Sequence, residues 1–346
     1  MNIESKATPK YGRSTVIFFI GIITLAVIFI MNIAMGSSSI SLGDVFGAFT
    51  DSEETSDIIK SIVLNIRLPR TLATVIGGAC LATAGVLLQI FFSNPIVEPY
   101  ILGISSGSSL FVGLVMLAGM RFGMQSISSI GMFIGSFIGA MTVMVLVIFA
   151  SQKVRSITTL LIIGMMFGYI CGAATTLMAA LADKERLANY TLWTMGSFSG
   201  FLWRDIYILY VVGVPVLVLA FLISKPLNTM LLGEKYAESM GISIKPFRFL
   251  LILIASILTS VVTAFAGPIS FIGLAVPHLA RILFKTSDNR IIIPAACCFG
   301  AIMTGLCDLG ARMLLAPLDI PLGAMTSIIG APLLVYLLLS KKGGEL

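Results

Sequence analysis

Charge is scarce in this chain. Only 11% of its 346 residues are Asp, Glu, Lys or Arg, 58% are hydrophobic, and the mean hydropathy is +1.04. Soluble domains carry about a quarter charged residues, so a soluble fold is excluded and a membrane protein implied. No G-x-x-x-x-G-K-[ST] loop occurs, which excludes ATP hydrolysis through that device. With a single histidine, His278, and few acids inside the apolar runs, neither a general acid–base pair nor a proton relay is evident. A membrane enzyme and a proton-coupled carrier are therefore both disfavoured. The five cysteines, Cys80, Cys171, Cys297, Cys298 and Cys307, all sit in apolar runs and form no C-x-x-C pair or metal-like spacing with His278. They read as structural thiols, with no metal site and no cofactor. The pI near 9.1 does not point to nucleic acid either, because the basic residues are scattered between the runs and form no stripe.

What the chain does have is length in apolar segments. Ten runs are long enough to count as spans, at about 16–35, 71–92, 100–118, 127–150, 159–181, 206–223, 247–266, 271–284, 291–311 and 323–340. They leave no room for a separate soluble domain, so residues 1–346 read as one all-α membrane domain. The eighth run is the shortest and is interrupted by Gly273 and Pro277, which predicts a kinked or partial crossing. Lys6, Lys10 and Arg13 precede a first run too long for a typical signal-peptide core, so an uncleaved first helix is expected. Ten crossings then put both termini on the cytoplasmic side of the cell membrane. Fourteen of the 22 basic residues fall on inner segments in this scheme, as the positive-inside tendency requires. The acidic outer segment 36–70 has room for a short amphipathic helix before Arg67. Thirty-three glycines imply close helix packing, and Trp193 and Trp203 flank an outer loop as interfacial anchors.

One polar passage stands apart. Residues 225–248 carry Lys225, Lys235, Lys245 and Arg248 against Glu234 and Glu238, a net charge that suits the inner side. Pro226 suits a helix start, Gly233 and Gly241 suit helix ends, and Pro246 opens the next span, so two short helices are predicted. A disordered linker would not carry two such start-and-stop sets together with Leu227, Met230, Leu231, Tyr236 and Met240; an ordered docking surface is expected. The loop Ser93–Pro99 carries two prolines, which set an irregular backbone near the membrane surface.

Several motifs in order resemble one family. They are R-L-P-R at 67–70, G-x-x-L-A-x-A-G-x-x-x-Q-x-x-x-x-N-P at 78–95, and L-G-I-S-S-G at 102–107. P-L-N-x-x-x-L-G-E-x-x-A-x-x-x-G follows from Pro226, and A-G-P-I-S-F-I-G-L-A-V-P-H-L-A-R spans 266–281. Together they are similar to the FecCD/BtuC-type permease subunits of ABC importers for iron-siderophores, haem or vitamin B12, with coverage from about residue 60 to the C-terminus. The resemblance implies a BtuC-like type II importer fold with an inverted repeat of five plus five helices. Arg70 leads into a run reaching Ala84-Gly85, and Arg248 leads into an oppositely directed one reaching Ala266-Gly267, which fits. It further implies a second permease copy, two ATPase subunits that hydrolyse ATP elsewhere than in this chain, and an external substrate-binding protein. Leu232, Gly233, Glu234, Ala237, Met240 and Gly241 would couple to the ATPase. Asn94, Pro95, Ile96, Thr158 and Thr159 would form the cytoplasmic gate, and Arg67, Arg70 and Arg312 would meet acidic residues of the binding protein. An iron-siderophore is the expected cargo, with haem and cobalamin as alternatives; an ion-coupled secondary transporter is the rival of another class.

Overall fold

The computed structural model describes residues 11–36, 40–50, 52, 55–100, 102–118, 129–151, 153–154 and 157–339, and all its regular structure is helical. Lipid leaves no other solution for an open chain, since every backbone N–H and C=O must find a partner within its own segment. Seven helical runs are long and apolar enough to cross a membrane. They are α1 (Tyr11–Ala34), the continuous run Asp57–Phe91, α6 (Ser129–Ser151), α7 (Ile157–Ala180), α9 (Trp203–Leu222), α12 (Ile244–Ala266) and α14 (Asn289–Met313). Three shorter apolar helices complete ten: α5 (Ile104–Gly113, prolonged by a π segment Leu114–Ala118), α13 (Ile272–Phe284) and α15 (Leu322–Leu339). Four helices outside this set are α2 (Leu42–Thr50), α8 (Lys184–Thr194), α10 (Ser224–Leu231) and α11 (Glu234–Ser239).

The ten apolar runs of the sequence thus map onto these ten helices, with three displaced starts, the first at Tyr11 in place of 16. The second run begins not near residue 71 but at Asp57: α3 (Asp57–Ser61) passes through a π segment (Ile62–Arg67) into α4 (Leu68–Phe91) without a break. The π segment explains how Pro69 is tolerated there. Leu68 N–H already bonds Val63 C=O five residues back, so the register has shifted before the proline removes a donor. The third run starts at Ile104 rather than 100, because Gly103 takes a left-handed φ of 77° and the helix cannot begin before it. The polar helix α8 was not anticipated, since its sequence lacks an apolar stripe.

α4 and α12 form the centre. Of their apolar windows 89% and 72% are buried, against 17% for α7 at the periphery. They run antiparallel, with Gly77 near Val262 at one level and Phe91 near Arg248 at the other. Gly78 of α4 meets Gly300 of α14 so closely that neither position has space for a side-chain carbon, and Thr304 Oγ1 donates to Thr74 C=O across the same contact (2.8 Å). The contacts also repeat. α4 packs on α14 and α13 as α12 packs on α6 and α5, while α5 meets α6 and α7 as α13 meets α14 and α15. Because α4 and α12 are opposed in direction, this correspondence is that of an inverted repeat.

The correspondence extends to the broken spans. α5 follows the left-handed Gly103, and α13 follows Phe271, whose φ of 67° is rare for an aromatic residue. Before α13 the chain 267–271 runs extended beside α15, from the level of Gly323 to that of Gly330, about 10 Å deep by helical rise. The 13 residues of α13 then add about 20 Å, so strand-like leg and helix together match one crossing of about 30 Å.

Candidate functional site

The candidate residues gather at two ends of the α4 axis, about 30 Å apart by the rise between Arg70 and Phe91. At the Phe91 end, α10 and α11 form the two short helices predicted from the sequence. α11 closes with Ile242 N–H on Ala237 C=O (3.0 Å) and Gly241 N–H on Glu238 C=O (2.9 Å), and Gly241 has φ 86°. That is the paired bonding of a Schellman ending, which needs a residue free to be left-handed at this point. Gly233, φ 106°, makes the corner between the two helices. Ala237 is fully buried and anchors α11, whereas Leu232, Gly233, Glu234, Met240 and Gly241 are exposed, Leu232 at 67% and Met240 at 60%. The assembly is tied to the spans twice. Glu234 pairs with Arg248, whose guanidinium lies 5.6 Å over the Phe91 ring, and Asn228 Oδ1 accepts from Asn289 N and Nδ2 (2.8 and 2.9 Å) at the start of α14.

The loop after α4 lies against this end. Ser93 is left-handed (φ 46°), Asn94 N–H donates to Gln89 C=O (3.0 Å), and Asn94 Oδ1 accepts from Ile96 N–H (2.9 Å), an Asx turn that fixes the bend before Pro95. Pro95 and Ile96 are exposed and Asn94 partly so. Thr159 is exposed on the first turn of α7; the side chain of Thr158 lies outside the described residues. The loop and the α7 start are carried by separate elements of one chain.

Two residues that the sequence reading did not assign hold the loop to α13. Glu98 is 3% exposed, and its carboxylate accepts from the Phe271 and Leu274 backbone N–H groups at the start of α13. A helix that begins inside a membrane has no water for its first donors, and an anion there also meets the positive end of the dipole. Gln89 Nε2 donates to Gly273 C=O (3.2 Å), the carbonyl whose usual partner four residues on is Pro277, which has no N–H. The same amide accepts from Arg281 Nη1 through Oε1 (2.6 Å). Gln89 stands within one of the quoted motifs and a proline stands four residues after Gly273, so the pairing had a signal; its long range hid it. A cavity of about 510 Å³ opens beside Arg281, between this loop, α10 and the start of α14.

At the opposite end, Arg67, Arg70 and Arg312 converge, but they are only 5%, 8% and 6% exposed. Arg70 meets Asp308 (Nη2 to Oδ1 2.9 Å) and Asp319 (Nη1 to Oδ2 2.8 Å), and Arg312 Nε lies 3.2 Å from Asp308. Arg67 Nη1 donates to Ile33 and Ala34 C=O (2.9 and 2.7 Å), and Arg312 Nη1 to Asn32 C=O (3.2 Å), the last turn of α1. The sequence placed these forks outward at the mouth of a span. Here they are turned inward, because Asp308 and the unpaired carbonyls ending α1 supply acceptors that the local sequence does not reveal. Asp319 is the accessible member, its side chain 43% exposed.

The sequence matches the FecCD transport family over residues 24–340. It is 32% identical over 323 residues to the hemin transport system permease protein HmuU of Yersinia pestis, covering 93% of this chain and 94% of that one. It is 34% identical over 331 residues to the vitamin B12 import system permease protein BtuC of Vibrio parahaemolyticus, covering 95% and 94%. A solved inward-facing structure of a metal-chelate type ABC transporter superposes with a TM-score of 0.81 at 29% identity, covering 94% of this chain and 99% of that one.

Proposed function

Since the chain belongs to the FecCD transport family and is an ABC importer permease of that family, we propose that it carries an iron-siderophore across the cell membrane. A second copy of the chain completes the path, two separate ATPase subunits drive it, and an external binding protein delivers the cargo. The end bearing α10 and α11 faces the cytoplasm. The observation that carries the reading is the exposed α10–α11 surface, closed by the glycine ending at Gly241, with apolar Leu232 and Met240 outward and Ala237 holding it to the spans. A short helix pair tied to α4, α12 and α14 passes a rigid-body movement from an ATPase into the helices that surround the path. Leu232, Gly233, Glu234, Ala237, Met240 and Gly241 make that coupling contact. Asn94, Pro95 and Ile96, with Thr158 and Thr159 of the second copy, close the inner end.

The Arg67–Arg70–Arg312 end receives the binding protein. Its three guanidiniums exceed the two carboxylates by one positive charge, and the accessible Arg70–Asp319 pair is where an incoming carboxylate can exchange with Asp319. The same family includes haem and vitamin B12 permeases, so cargo is decided by direct measurement. The chain is reconstituted with the ATPase and binding protein of its own operon, and uptake of iron-loaded siderophore, haemin and cobalamin is followed with and without ATP. ATP-dependent uptake of the siderophore alone is expected. Uptake of haemin or cobalamin instead would replace the cargo assignment, and uptake that follows an ion gradient without ATPase would replace the mechanism.

A further inference from the structure

Arg281, half-buried on α13, has donors to spare. Its guanidinium has five N–H donors. One donates to Gln89 Oε1, and among the described residues no carboxylate lies within ion-pair distance of it. Two arginines near it differ: Arg248 has Glu234, and Arg290 is exposed. The cavity of about 510 Å³ onto which Arg281 opens has no acidic residue in its lining; its polar groups are those of Gln89, Ser93, Asn94, Ser287 and Asn289.

Ser287 and Asn289 bracket the start of α14, a 25-residue helix whose N-terminal end borders the same space; its first N–H groups are taken within the chain, Asn289 by Asn228 Oδ1 (2.8 Å) and Arg290 by Asp288 Oδ1 (3.0 Å). The nearest carboxylate of that turn, Asp288, is already occupied: it accepts from Arg290 N–H (3.0 Å) and Asn228 Nδ2 (2.6 Å), and it does not line the cavity. A planar guanidinium held in place by Gln89 and facing neutral hydroxyl and amide groups, with no carboxylate in the lining, makes a receptor for a forked acceptor.

We propose that this cavity is an anion-binding site that takes a single phosphate or carboxylate group on Arg281. The bound group spans the loop at 93–95, α10 and the start of α14, so its occupancy stiffens the junction between the inner loop and the α10–α11 surface. The site stands apart from the transport reading, because its occupation by a free anion needs neither ATPase nor cargo.

The test uses the purified full-length chain in phosphatidylcholine nanodiscs and inorganic phosphate as the probe, read by equilibrium binding of radiolabelled phosphate and by the unfolding temperature. Saturable binding at one phosphate per chain is expected, with a matching rise in unfolding temperature. Arg281→Gln should weaken it at least tenfold, and Arg290→Gln, which removes an equal charge nearby, less than twofold. Should Arg281→Gln fail to fold, Arg281→Lys, which keeps the charge and loses the fork, should weaken binding about threefold. Adding the ATPase subunit identifies the source: displacement of phosphate assigns the site to a carboxylate delivered by that partner, and unchanged binding assigns it to a free anion. No saturable phosphate binding, equal losses in the Arg281 and Arg290 variants, or full binding by Arg281→Lys would overturn the assignment.

Discussion

At the Arg70 end of α4, three arginines and two aspartates close on one another and on the last carbonyls of α1, leaving the arginines 5–8% exposed. At the Phe91 end the distribution is reversed: Leu232, Tyr236 and Met240 stand open, and Arg281 faces a cavity without a counter-charge. Buried charges matched within one chain brace helices and resist change, since removing one partner strands the other in a poor solvent. Groups left open or unmatched are the ones another molecule can satisfy. The comparison assigns bracing to one end, with the Arg70–Asp319 pair as its one accessible contact, and an open partner surface to the other.

The largest expected effect breaks the braced end. Asp308 is 1% exposed and lies against both Arg70 and Arg312, so Asp308→Asn leaves two buried guanidiniums facing each other. A loss of about 3–5 kcal/mol is expected, read as a fall in unfolding temperature in detergent. An unchanged temperature would mean that the cluster is solvated and braces nothing.

A smaller loss is expected where α4 holds α13. Gln89→Leu keeps the bulk but leaves the Gly273 carbonyl and the Arg281 guanidinium without their shared amide. Each buried polar group left unsatisfied costs about 1–3 kcal/mol. Amide hydrogen exchange should quicken in the first turns of α13 and not in α12; equal quickening in both helices would deny a local clamp.

Gly241→Val tests the open end through its backbone. Valine at φ 86° is strained, so the Schellman ending should open and α11 should shift, at a cost of about 1–2 kcal/mol confined to that helix. The spans should keep their unfolding temperature while co-purification of the ATPase falls. Normal amounts of ATPase together with normal transport would remove α11 from the coupling contact.

Leu232→Ser sharpens the comparison by changing almost nothing in the chain itself. At 67% exposure the side chain has little packing to lose, so unfolding should not move measurably while ATPase affinity drops several-fold. A stability loss with unaltered affinity would turn Leu232 into a packing residue and the surface into an ordinary loop.

The residues that were legible in advance share a property: their reasons are local. Gly241 and Gly233 end helices because of what lies within four residues of them, and the shortness of α13 was visible in its own run, although the helix passes unbroken through Gly273 and Pro277. The motif glycines also announced close approach, as at Gly78. What was missed depends on partners far along the chain. Arg70 finds Asp308 238 positions away, and Gln89 finds Gly273 184 positions away. Glu98, which nothing in its local sequence singles out, caps the start of a helix near residue 271.

Hydropathy and turn chemistry act over a few residues at a time, so the sequence by itself determined that this is a membrane protein, where its spans fall, and that two short capped helices project between α9 and α12. Direction of charge is another matter. A guanidinium turns toward whichever acceptor the fold brings within 3 Å, and in a medium of low dielectric that choice outweighs any preference of the local backbone. Only the tertiary structure therefore decided that Arg67, Arg70 and Arg312 close inward, that Glu98 and Gln89 complete α13, and that Arg281 faces a cavity with no carboxylate in its lining.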